Sequence, residues 1–91
     1  MILVDGAYWP WRDRLWCHLI SDTSLDELHA FARSLGIPER GFSDDHYDIP
    51  EDYRVQAIAA GAQPVTSRQI VEALRAAGLR KPAARSDAFS R

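Results

Sequence analysis

Three imidazoles and a set of carboxylates, His18, His29 and His46 with Asp22, Asp45 and Asp48, lie between positions 18 and 48 of a 91-residue chain. Neutral imidazoles and carboxylates are the donors that hold divalent transition metals while leaving a position for water, and a His–Asp pair without metal can act as a general base. Candidate metal ligands are His18, His29, His46 and Asp22. Candidate acid–base residues are Asp22, His29, His46 and Asp48. In extended backbone His46 and Asp48 point to the same side, so both can reach one ion or one substrate, with Tyr47 between them as a binding residue. Against this stands a capping role for Asp48, because Asp48 and Glu51 have capping-box spacing ahead of a helix.

The elements that must position these groups follow from local pattern. Trp16 to Ile20 reads as a buried strand, with His18 on the face of Trp16 and Ile20. Ser24 and Glu27 have capping-box spacing, and Leu25, Leu28, Phe31, Ala32 and Leu35 form one apolar stripe that Gly36 and Pro38 end. His29 borders that stripe one turn after Leu25 and leans back toward Asp22. If strand and helix pack as a βα unit, His18, Asp22 and His29 converge on a polar cleft beside the Ser21–Ser24 turn, where α/β sheets bind ligands.

The remaining elements are an apolar strand at Ile2 to Val4 and a helix from Glu51 to Ala60 with Val55, Ile58 and Ala59 inward. A short strand spans 62 to 65. A last helix is opened by Thr66 and Gln69, with Ile70, Leu74 and Ala77 facing the core. Asp5, just past the first strand, is either a functional carboxylate or a turn-forming side chain, and the turn is the plainer reading. Whether the first two long strands run parallel or antiparallel is open. In the antiparallel case Asp5 lies at the opposite end of the sheet from Asp22.

Tyr8 to Arg14 reads as an irregular loop dense in aromatics and guanidinium groups. Trp9 and Trp11 could stack on a base while Arg12 and Arg14 contact phosphate, or the same residues could cover the core. Arg68 sits in the first turn of the last helix, where the dipole disfavours a cation, so it is a candidate for anion contact.

Composition narrows the class. With 46% hydrophobic and 26% charged residues the chain describes one small globular domain over residues 1 to 79, and a flexible basic tail over 80 to 91. A chain this short buries about 60 to 65% of its unfolded surface, which leaves a homodimer contact as an open source of stability. One cysteine, Cys17, excludes an internal disulfide and multi-cysteine zinc motifs. The opening Met-Ile-Leu-Val has no secretory pattern, so the expectation is a cytoplasmic protein with no membrane partner. Residues 1 to 50 carry four Arg and nine acids (−5), and residues 51 to 91 carry six Arg, one Lys and four acids (+3). A net charge of −2 does not demand a polyanionic partner.

Trp16-Cys-His-Leu-Ile-Ser-Asp-Thr-Ser with Glu27-Leu-His-Ala-Phe-Ala, then Asp45-His-Tyr-Asp and Gly61-Ala-x-x-Val-x-Ser-Arg68, resemble a small bacterial and phage family of domains of unknown function, DUF4031. The resemblance covers roughly residues 1 to 80. It implies that His18, Ser21, Asp22, His29, His46, Tyr47, Asp48 and Arg68 form a family signature, and it brings no chemistry with it.

The expectation is therefore an α/β domain with about four short strands in a mixed or mostly parallel sheet and three helices. Three functions stay open. One is a metal-assisted or acid–base hydrolytic site, and the second is a module binding a small molecule, a nucleotide or nucleic acid through the Trp/Arg loop. The third is a partner-binding or structural protein whose histidines form a hydrogen-bond network.

Overall fold

A computed structural model describes residues 1–6 and 9–80. Tyr8 of the aromatic stretch and residues 81–91 of the expected tail lie outside the described residues. The sheet is built on β3 (Arg14–Ser21). On one side it pairs antiparallel with β5 (His46–Pro50), which pairs antiparallel with β4 (Phe42–Ser43). On the other side lie β1 (Ile2–Val4) and β2 (Trp9–Trp11), both antiparallel to β3. A two-residue edge strand β6 (Gln63–Pro64) adds parallel to β1. The sheet is mixed, with six strands where about four were expected, and every pair but β1·β6 is antiparallel.

Each strand of the centre alternates its side chains between two layers. Ile2, Val4, Cys17, Leu19, Tyr47 and Ile49 face α1 (Leu25–Ser34) and α2 (Glu51–Ala59) and form the larger core with Leu28, Ala32 and Ala57. Leu3 and Ile20 face the other way, against Ile70 and Leu74 of α3 (Ser67–Ala76). α3 covers only this end, so His18, His46 and Asp48, which share its side of the sheet, are left half-exposed.

The helix signals act as their chemistry dictates. Ser24 accepts the Glu27 N–H, and Thr66 and Gln69 make both bonds of the capping box. Gly36 and Gly78 both sit at φ +73°, the left-handed conformation that ends a helix without a Cβ clash. A single 3-10 turn, Glu39–Gly41, follows Pro38.

Three local expectations are corrected. The cap of α2 is Pro50, with no side-chain bond, and Asp48 stays within β5. Ile58 packs on the core as expected, but Val55 is 69% exposed and Ala59 is exposed too, because α2 turns Tyr53 and Ala57 inward in their place. The Trp/Arg stretch is a hairpin, not an irregular loop: β2 and β3 are joined by Arg12 and Asp13 at φ +51° and +62°. Two left-handed residues are what a type I′ turn requires, and it went unread because the usual Asn-Gly or Asp-Gly is missing.

Candidate metal centre

The site begins where the edge of β3 is interrupted. The pairing of β1 with β3 ends at Val4 opposite Leu19 and that of β2 begins at Trp9 opposite Trp16, so the two registers are out of step by two residues across Cys17 and His18. Such a change of register breaks the ladder and re-aims a side chain. Here Asp5 turns its carboxylate inward, accepting the His18 backbone N–H at 2.7 Å and facing His18 Nδ1 at 2.7 Å. The Ser67 hydroxyl at the start of α3 donates to the same carboxylate at 2.7 Å, and Arg54 of α2 donates to the Asp5 carbonyl. Asp5 is fully buried. Burial alone would push its carboxyl upward, but the bonds from His18 and Ser67 outweigh it and hold it below the usual carboxylate range. His18 moves the other way, raised by its bond to Asp5 against the opposing effect of burial.

A second imidazole is held in the same manner. His46 Nδ1 lies 2.8 Å from Asp45, and Arg80 grips that carboxylate through Nε at 2.7 Å and Nη2 at 3.0 Å. Asp45 is buried, which favours its neutral form, yet Arg80 and His46 keep it below its ordinary value. An ionised carboxylate can only accept, so each Nδ1 carries a proton and each Nε2 of the neutral ring is left with a lone pair. The two rings stand 5.1 Å apart at 72°, and Asp48, directly opposite His18 across the strand pair, completes the trio. One ligand atom from each of His18, His46 and Asp48 lies within 4.8 Å of the others. His46 Nε2 is 3.2 Å from Asp48 Oδ1. Two lone-pair atoms that close are held by a positive centre, a proton or a cation. Donors about 2.0–2.1 Å from a tetrahedral ion are themselves about 3.3 Å apart, close to the spacing of His46 and Asp48, while the trio as a whole lies within 4.8 Å.

A family model described as a protein of unknown function, DUF4031, matches residues 2–77. The chain belongs to the DUF4031 family. No curated protein and no solved structure matches it. The family match identifies no site, so the chemistry of this DUF4031 domain rests on the geometry of its side chains.

The other candidate residues are distributed elsewhere. His29 is on the opposite side of the sheet, its Nδ1 2.7 Å from the hydroxyl of the buried Tyr47 and its ring 4.6 Å from Phe42. Asp22 and Glu27 bind the Met1 amino group, and the Ser21 hydroxyl donates to Glu27 while accepting the Thr23 and Ser24 N–H groups. The turn expected to frame a cleft is thus closed by its own hydrogen bonds, and His18, Asp22 and His29 do not converge. Arg68 is 89% exposed and pairs only loosely with Glu72 at 4.0 Å. Arg14 pairs with Asp52, Arg12 lies 4.5 Å over the Trp11 ring, and Trp9 packs against His18 at 4.5 Å. Burial pushes the Cys17 thiol up to about 12, so it is no nucleophile.

Asp5, Asp45 and Arg80 escape sequence reasoning as parts of one device. The signal for Asp5 was present, an acid directly after a buried strand, but the turn explanation suited it equally well. Arg80 reaches back to Asp45. No helix among the described residues is long and apolar enough to cross a membrane.

Proposed function

We propose that His18, His46 and Asp48 bind a divalent transition metal ion and that the protein is a metal-dependent hydrolase. The observation that carries this reading is the treatment of both imidazoles: each Nδ1 is fixed by a carboxylate, Asp5 or Asp45, while His18, His46 and Asp48 bring one ligand atom each within 4.8 Å of one another. Carboxylate–histidine pairs of this kind orient metal ligands and raise their basicity. Two imidazoles and one carboxylate suit zinc, iron or manganese and leave coordination positions open. An ion so held lowers the pKa of bound water toward neutrality, which is what hydrolysis requires.

The chain's own residues supply the rest. Asp5 and Asp45 hold the ring tautomers, Arg80 keeps Asp45 ionised, and the half-exposed rims of His18 and Asp48 admit a substrate. A serine hydrolase is a poorer fit. Ser67 donates to Asp5 and not to an imidazole, so no base is placed to activate it. The test is the elemental content of protein purified without a histidine tag and reconstituted with Zn²⁺, Mn²⁺ or Fe²⁺. Near one equivalent of metal, lost in a His18→Ala/His46→Ala variant that keeps its far-ultraviolet circular dichroism, supports the site. Absence of uptake with all three ions overturns it.

A further inference from the structure

The face of the sheet that carries the trio is covered by α3 at one end only. At the other end the hairpin of β2 and β3 supplies three indoles, Trp9, Trp11 and Trp16, with Trp9 paired directly opposite Trp16. Together with Pro10 and Asp48 they line an open cleft of about 320 Å³. Its one carboxylate is Asp48, the member of the trio nearest solvent, and Trp9 joins the cleft to the trio by packing on His18. Trp11 is 54% exposed, although an indole of that size is ordinarily buried in a fold with core to spare. The Trp16 indole N–H is satisfied by the Trp11 carbonyl at 2.8 Å, which fixes two of the walls.

We infer that this cleft is the substrate-recognition subsite of the metal centre, and that it takes a planar aromatic ring carrying a phosphate group. The inference rests on the metal reading above. The ring lies among the indoles, where stacking is available from faces rather than from specific hydrogen bonds, and the anionic group reaches the ion beside Asp48. The volume is at the small end for ligand sites, enough for a ring and too little for a partner helix. Without an ion, Asp48 repels an anion at the mouth of the cleft, so a bound ion strengthens the hold on the phosphate while stacking of the ring on the indoles does not depend on it. Arg12 adds charge at the rim. Its guanidinium lies over Trp11 and is paired with no carboxylate among the described residues.

Nucleotides and aryl phosphates share this chemistry, and a titration separates them. Adenosine monophosphate, phenyl phosphate and ribose 5-phosphate are each added to the zinc-loaded full chain while tryptophan fluorescence and binding heat are followed. The expected result is that at least one ring-bearing ligand quenches the indoles and binds about tenfold or more tighter than ribose 5-phosphate. Tighter binding of adenosine monophosphate identifies a nucleotide site; tighter binding of phenyl phosphate identifies an aryl site. Trp11→Ala should erase the advantage of the ring with metal content unchanged, and Trp11→Phe, which keeps a ring and guards against a damaged hairpin, should restore it. Arg12→Asn, tolerated at this positive φ, should weaken both ring-bearing ligands by a smaller factor. Equal affinity for ribose 5-phosphate, or no binding of either ring-bearing ligand, overturns the inference. Failure of the metal reading shows separately, in the elemental content. In metal-free protein the cleft stands if ring-dependent quenching persists and is lost in Trp11→Ala, and it falls if quenching is absent.

Discussion

The two faces of the sheet use the same side chain for opposite purposes. On the face covered by α1 and α2, His29 spends its Nδ1 on the hydroxyl of Tyr47 and packs its ring against Phe42, so it closes a buried polar group that would otherwise lack a partner. On the face that α3 covers only in part, the Nδ1 atoms of His18 and His46 are given to carboxylates, and the other nitrogen of His46 faces Asp48 at 3.2 Å. A histidine's function is thus set by what holds its Nδ1, a phenol hydroxyl on one face and carboxylates on the other. Its residue type does not decide this.

Metal affinity should break the comparison most strongly. Asp5→Asn, which keeps the volume but weakens the anchor of His18, is expected to lower zinc affinity about 10- to 100-fold in a competitive chelator titration, since anchors of this class contribute that much. His29→Ala should leave zinc affinity unchanged. A comparable loss in His29→Ala would mean that the two faces act as one site.

Acidification sharpens the comparison through stability. Asp5 and Asp45 have folded values below the ordinary 3.8, so their contribution is complete above that value and is lost as the pH falls through the folded ones. His18 has a folded value above 6.5, so its contribution is complete below 6.5 and declines as the pH rises through the folded value. The Asp5–His18 pair of the metal-free protein is therefore worth most between about pH 4 and 6.5. The melting temperature should fall below pH 4, and in Arg80→Leu that fall should begin at a higher pH, because burial then acts on Asp45 with less opposition. An acid limb identical in Arg80→Leu would remove Asp45 from the account.

The smallest effect belongs to the closed face. Tyr47→Phe removes one neutral hydrogen bond and should cost about 1 kcal/mol in urea unfolding, with metal content untouched. A loss of metal there would carry the site through the sheet.

Much of the local structure was legible beforehand. Ser24 and Thr66 marked their helices because a hydroxyl at that position satisfies an N–H the helix cannot, and Gly36 and Gly78 marked helix ends by tolerating a positive φ. The period of two placed His46 and Asp48 on one side, and His18 with Trp16 and Ile20. The irregular reading of the hairpin failed because Arg12 and Asp13 occupy left-handed positions usually given to glycine or asparagine. Asp48 failed as a cap because its spacing to Glu51 fits a capping box whether or not the backbone turns there.

The sequence by itself determined the helices, the caps of the first and the last of them, the alternation along each strand and the donor set of three imidazoles and several acids. Those depend on neighbours within about four residues. Only the tertiary structure decided that Asp5 sits on His18, that Arg80 reaches Asp45, that His46 and Asp48 meet His18, and that His29 lies across the sheet from them. Alternation tells which side chains of one strand share a face. It does not tell which face of one strand joins which face of another, because that depends on register, on the change of register between β1 and β2 along β3, and on which end of the sheet α3 leaves open.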